Sequence, residues 1–230
     1  MSTDTKYIAL RLQGPLQSWG VDSQYSRRNT DLMPTKSAVA GMCCAALGFA
    51  RGSETEATFL LKFAEVRMTA IAIPRVVGRK GRVGADTELA VRRLQDYHTV
   101  QNTRKADGGL KDCHITYRQY LADASFGVIL EGASVVLEEV ASALADPKWG
   151  LWLGRKSCIP SAPILAGLRN TREEALQLLL GKEPLESFTR HEEAASFSEG
   201  TDAIPDQPIS FASERRLFAP RRIYRNRGAL

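Results

Sequence analysis

Residues 7–20 read YIALRLQGPLQSWG, and the fold is worked out from there. Ile8, Leu10 and Leu12 alternate with Tyr7, Ala9 and Arg11, the two-residue period of a half-buried strand. Gly14-Pro15 ends the strand, because proline cannot donate to a ladder and glycine accepts turn geometry. A long polar loop leads to Pro34-Thr35-Lys36-Ser37 and then to the small apolar run AVAGMCCAALG, residues 38–48. Thr35 or Ser37 is expected to cap that run as a helix, and Gly48 to end it. Free backbone N–H groups beside Lys36 and Ser37, with Arg27 and Arg28 just upstream, suit a phosphate at the sheet edge. Many helices begin this way and bind nothing, so the pattern alone is weak.

The chain has 230 residues, enough for one sizeable core or one domain with a smaller appendage. Its 43% hydrophobic and 25% charged residues suit a soluble globular protein. No apolar run reaches membrane-helix length, and MSTDTK lacks the apolar core of a signal peptide, so a cytoplasmic protein without membrane contact is expected. Cys43, Cys44, Cys113 and Cys158 form no C-x-x-C pair, and with three scattered histidines they make a poor zinc set. Reduced, mostly buried thiols are expected, with no metal and no cofactor.

The formal net charge is +5, unevenly spread. Residues 75–118 carry +5, residues 213–230 carry another +5, and the remainder carries −5. Two basic segments on a near-neutral body suggest a polyanionic partner; the plainer reading is a solvated surface of uneven charge.

In chain order, Phe59, Leu60, Phe63 and Val66 mark a helix within residues 54–66, and residues 68–73 read as a second strand ending at Pro74. Nearly fifty residues rich in Arg, Lys, Gly and Asp follow, too many for an ordinary connection, and they are expected to project as a hairpin arm with residues 72–77 and 118–125 pairing at its root. FGVIL at 126–130 is a third strand, Val135 to Leu144 a helix, and Leu151-Trp152-Leu153 a short fourth strand. This order gives an α+β fold of ferredoxin-like or RRM-like βαββαβ type. A further helix at 171–181, a polar stretch at 190–207 and an Arg-rich strand-like segment complete the chain.

Two more patterns bear on chemistry. In LGRKSC, residues 153–158, Gly154 permits close backbone approach, and Arg155, Lys156 and Ser157 are suitable phosphate donors. The spacing is not that of a P-loop, so nucleotide hydrolysis is not expected. The arm interleaves Tyr97, His98, His114, Tyr117 and Tyr120 with cations that include Arg104, Lys105 and Lys111. Aromatics among cations suit single-stranded RNA, where bases stack and phosphates pair. A sharper reading makes Tyr97, His98 or His114, with a lysine, a metal-independent ribonuclease site. No local spacing demands catalysis, and binding is placed ahead of cleavage.

LRLQGPLQSWG, PTKSAVAGMCCAALG, LQDYHTV, YRQYLADASFGV and LGRKSCIPSAP together resemble the CasD family, in order from about Tyr7 to Pro163, with a weaker echo in ISFASERRLF. That family comprises RNA-handle-binding subunits of type I-E CRISPR Cascade complexes within the RAMP superfamily. The resemblance implies an RRM-like domain over 1–154 with a thumb inserted at about 75–121, and a small C-terminal region over 155–230. It further implies a grip on the 5′ handle of the guide RNA, capping of the complex, and contacts to the large subunit and the backbone subunit. A related type I-C subunit cuts precursor RNA with tyrosine, histidine and lysine, whereas in type I-E systems another subunit cuts. A non-catalytic role is therefore expected, against the alternatives of a precursor-RNA endoribonuclease or an RRM-like binder of another RNA.

Overall fold

The alternation at Tyr7–Leu12 forms a strand, β1 (Thr5–Gln13). The computed structural model describes residues 4–20, 26–78, 86–89, 91–105 and 107–228. After β1 come β2 (Leu16–Gln17), β3 (Arg27–Arg28), α1 (Lys36–Leu47), α2 (Glu54–Ala64) and β4 (Arg67–Ala72). A short pair, β5 (Arg75–Gly78) and β6 (Asp86–Leu89), precedes the long strands β7 (Arg92–Arg104) and β8 (Leu110–Ala122). Next are β9 (Ser125–Ala133), α3 (Ser134–Ala145), β10 (Leu165–Arg169) and α4 (Arg172–Leu180). β11 (Arg190–Glu193), β12 (Asp202–Ser210) and β13 (Leu217–Asn226) close the order.

The fold is α+β, with four α-helices among the described residues and an antiparallel seven-stranded sheet ordered β10-β1-β9-β4-β11-β13-β12. Ile8, Leu10 and Leu12 of β1 join Met68 of β4, Phe126, Val128 and Leu130 of β9, and the apolar sides of α1, α2 and α3 in one buried cluster. Ala9, Ile71 and Ile129, on the opposite face of the same strands, pack with Ala175 and Leu180 of α4. The centre of the sheet is thus covered on both faces. Thr35 caps α1 by accepting from the Ala38 amide at 3.3 Å, and Gly48 ends it with φ +76°, a left-handed conformation that glycine adopts at little cost.

Two expectations need correction. Leu151–Leu153 is not a strand: Leu153 donates to the Cys158 carbonyl and accepts from the Ser18 amide, so its backbone is used in a tight loop. The strand beyond α3 is β10, which pairs with β1. The arm's long pairing is β7 with β8, while β5 pairs with β6; at the expected root the Ile73 amide donates to the Ser125 carbonyl at 2.9 Å. The polar stretch 190–207 contributes β11 and most of β12 to the main sheet. Of the cysteines, three are buried and Cys113 is exposed; burial pushes the Cys44 thiol up to about 12.

The elements meet at a buried ionic cluster. Lys36 at the start of α1 has no exposed surface, and its Nζ donates to Glu193 Oε1 of β11 at 2.8 Å. Burial lowers the Lys36 pKa, and the Glu193 charge opposes that shift. Arg221 of β13 makes a two-pronged bond to Asp206 of β12, at 2.6 and 3.0 Å, and reaches Glu193 at 3.4 Å. Glu193 also accepts from the Met68 amide at 3.0 Å. Replacing Asp206 with alanine leaves Arg221 buried without its two-pronged partner and the α1 amide unbonded. The expected loss is about 3–5 kcal/mol, read from the urea midpoint.

Candidate nucleic-acid interface

Residues across an antiparallel ladder share a face, and neighbours along a strand point oppositely. On the β7–β8 hairpin Tyr97 stands opposite Tyr117, with ring centroids 5.5 Å apart at an edge-to-face angle of 71°. Both rings are substantially exposed, at 59% and 38%. β3 runs parallel to β8 and sets exposed Arg27 and Arg28 in register with Tyr117 and Arg118. Arg27 therefore shares the face of the two tyrosine rings, while Arg28 and Arg118 lie on the other. Arg104 and Lys105 are exposed at the hairpin tip, where Lys105 donates to the Gly109 carbonyl at 2.8 Å. Lys111 is placed on β8 by its pairing with Thr103, while its side chain, like Arg79, Lys80 and Arg82, lies outside the described residues.

His98 lies on the other face from Tyr97. It is half-buried, its carbonyl accepts from Thr116 Oγ1 at 3.3 Å, and its buried Nδ1 makes no hydrogen bond to the described residues. His98 stands opposite Thr116 and Val100 opposite His114, so the two histidines share a face as diagonal neighbours.

The loop of LGRKSC is fastened to this hairpin. Gly154 has φ +97°, and a Cβ there would lie 1.8 Å from the Ser18 carbonyl oxygen, so the approach requires glycine. Arg155 does not offer its guanidinium to a ligand as expected. It donates to the Gln119 carbonyl at 3.1 Å and the Arg28 carbonyl at 2.7 Å, and lies 4.7 Å from the centroid of the Tyr120 ring. Arg155 is thus a brace between three segments. Lys156 and Ser157, beside it, are exposed.

The expectation for Lys36 is also corrected. Its ammonium is buried against Glu193, and its backbone amide donates to Asp206 Oδ2 at 2.7 Å. The anion at the α1 N-terminus is the chain's own carboxylate. Ser37, half-buried, bonds the Thr35 hydroxyl at 3.3 Å and lines a neighbouring cleft.

That cleft, of about 640 Å³, was not foreseen from the sequence. Its aromatic lining comes from Phe49 after α1, Trp149 and Trp152 before the Gly154 loop, and Phe211 and Phe218 at the β12–β13 turn. Arg51, Lys156 and Arg216 also line it, and no carboxylate does among the described residues. The only sequence signals were the tryptophans around Gly150 and the segment ISFASERRLF, which are far apart in the chain.

Comparison with known proteins places these features in context. Residues 7–224 match the family model described as CRISPR-associated protein (Cas_Cas5). The CRISPR system Cascade subunit CasD of Escherichia coli (strain K12) is 31% identical over 229 residues, covering 97% of each chain. A chain of a CRISPR RNA-guided surveillance complex superposes with a TM-score of 0.69 at 28% identity, covering 95% of this chain and 88% of that one. A crystal structure of a Cas protein gives 0.63 at 34% identity, covering 94% and 92%.

Replacing Arg155 with alanine removes two bonds to carbonyls and the ring contact. A stability loss of about 1–3 kcal/mol is expected by thermal denaturation, with faster proteolytic nicking at residues 153–158; Arg155→Lys, lacking the planar fork, should not restore it.

Proposed function

Because the chain belongs to the CRISPR-associated Cas5 family, we propose that it is the non-catalytic RNA-binding subunit of a type I-E CRISPR surveillance complex in the cytoplasm. In this reading it grips the 5′ handle of the guide RNA, caps one end of the complex, and contacts the large subunit and the backbone subunit. The observation that carries the reading is identity to a Cascade subunit across nearly the whole of both chains. Among the described residues no helix is long and apolar enough to cross a membrane.

The order β10-β1-β9-β4, with α1 and α2 between β1 and β4 and α3 between β9 and β10, supports a ferredoxin-like unit. That unit takes its fourth strand from beyond residue 154, and the rest of the C-terminal region widens the sheet. We take the insertion at about 75–121 as the thumb. Its exposed Tyr97, Arg104 and Lys105, with Arg27 and Arg28 of β3, suit a single strand whose bases stack and whose phosphates pair. Lys156 and Ser157 are exposed beside Arg155, which bonds the Arg28 and Gln119 carbonyls, and we count them with the same interface.

In a filter-binding titration of the handle RNA against salt, Arg28→Ala and Lys156→Ala are each expected to weaken binding. Each should flatten the log–log slope by about 0.7 for one lost phosphate contact. Unchanged affinity and slope in both variants would remove these residues from the interface.

The shared face of His98 and His114 favours a second reading, metal-independent cleavage of precursor RNA, since paired imidazoles can act as acid and base. Incubating the purified chain with its repeat RNA in EDTA separates the two. Intact RNA is expected, and cleavage lost in His98→Ala or His114→Ala would establish the ribonuclease instead.

A further inference from the structure

We infer that Asp123 is a charge latch at the root of the arm: its carboxylate holds Arg75 and Arg92, and RNA phosphates must displace it to reach them. This rests on the RNA-binding reading above. Asp123 fills the corner between β8 and β9 with φ +59°, a left-handed conformation that aspartate and asparagine enter more readily than most residues. Its amide donates to the Pro15 carbonyl at 3.2 Å, which ties the corner to the segment joining β1 and β2. Oδ1 accepts from Arg75 Nη1 at 3.2 Å, and Oδ2 accepts from Arg92 Nη2 at 3.1 Å. One carboxylate, set in place by its backbone, thus holds two guanidiniums, one on each oxygen.

The two arginines stand where the arm leaves the body. Arg75 opens β5 and pairs with Leu89, the last residue of β6. Arg92 opens β7 and pairs with Ala122, the neighbour of Asp123. Among the described residues β5 and β6 pair only with each other, and an isolated two-stranded ribbon is weakly held by itself. Asp123 is therefore the charged tie between the entry of that ribbon, the start of β7 and the β8–β9 corner. The long hairpin has further support, because β8 also pairs with β2 and β3.

Exposure makes this tie exchangeable. The Arg75 and Arg92 side chains are 44% and 72% exposed and that of Asp123 is 34%, whereas those of Arg221 and Asp206 are 5% and 2%. Exposed ion pairs are weak and screened by salt. Phosphate oxygens bond a guanidinium as carboxylate oxygens do, so they can take the place of Asp123. Two guanidiniums on one carboxylate also leave a net positive charge, which attracts a polyanion before any exchange. The Tyr97–Tyr117 pair on the same hairpin favours a nucleic acid over an acidic protein segment, because exposed flat rings suit bases.

The test titrates the full-length chain with handle RNA across a salt series. Asp123→Asn keeps a residue suited to the left-handed corner and removes the charge. It should tighten binding about twofold to fivefold at low salt, the strength of one exposed ion pair written as a ratio. It should also steepen the log–log salt slope by about 0.7, since the site loses one competing negative charge. Asp123→Gly, which accepts positive φ as well, should give the same gain. An aspartate with a purely structural task would act in the opposite direction, its loss weakening binding. Arg75→Gln and Arg92→Gln, at exposed positions, should each weaken binding, flatten the slope by about 0.7, and together cancel the gain of Asp123→Asn. Asp123 variants that weaken binding or leave it unchanged would overturn the inference while the RNA-binding reading stands. Arginine variants that bind as the wild type does, or a gain that survives loss of both arginines, would overturn it equally. A wild-type chain and assembled complex that bind no RNA would remove that reading and the inference with it.

Discussion

The ionic cluster of Lys36, Glu193, Asp206 and Arg221 is the constraint on which the rest of the structure depends. Two cations and two carboxylates are taken out of water together, a costly step unless each is closely bonded. They are closely bonded: the Arg221–Asp206 pair is two-pronged, and Glu193 accepts from Lys36 and from the Met68 amide. The cluster joins the first helix to three strands whose residues follow it by more than 150 positions. Asp206 also occupies the α1 N-terminus, where the helix dipole favours a negative charge. The most favourable anion site of the N-terminal half is therefore consumed by folding.

This placement decides where ligand chemistry remains. The β12–β13 turn, anchored by the cluster, brings Phe211 close to Gly41 of α1, and with Arg216 and Phe218 it builds one wall of the cleft. The other wall is the 149–156 segment, held by the Gly154–Ser18 approach and by Arg155. Structural cations and free cations thus alternate along the chain. Arg155 braces while Lys156 is exposed; Arg221 is buried while Arg216 lines the cleft. Cations close together in the chain carry different tasks, according to the partners that the fold gives them.

Much was legible in the sequence. The alternation of β1, the capping of α1 by Thr35 and Gly48, and the helix spacing of α2 and α3 are all set by residues near one another in the chain. Local sterics and hydrophobic period dictate such features, so local sequence reports them. The exposed arm with Tyr97, Tyr117 and its cations was legible for the same reason, since a long stretch without core pattern has little to bury, although Tyr120 near its root joins the core. The family motifs added what local chemistry does not contain, namely the expectation of a guide-RNA partner.

What only the tertiary structure decided is the fate of each charge. β11 reads Arg-His-Glu-Glu, which has no strand signature, yet it lies inside the main sheet because Arg190 and Arg172 bond Glu192, while Lys36 and Arg221 bond Glu193. Lys36 and Arg155 have the sequence context of phosphate donors, and partners distant in the chain turn both into structural groups. The aromatic cleft is assembled from residues 49, 149–152 and 211–218, which no window of sequence holds together. By itself, then, the sequence determined the local elements and the kind of partner sought. Which cations remain free to meet that partner depends on contacts between remote segments, and only folding brings those segments together.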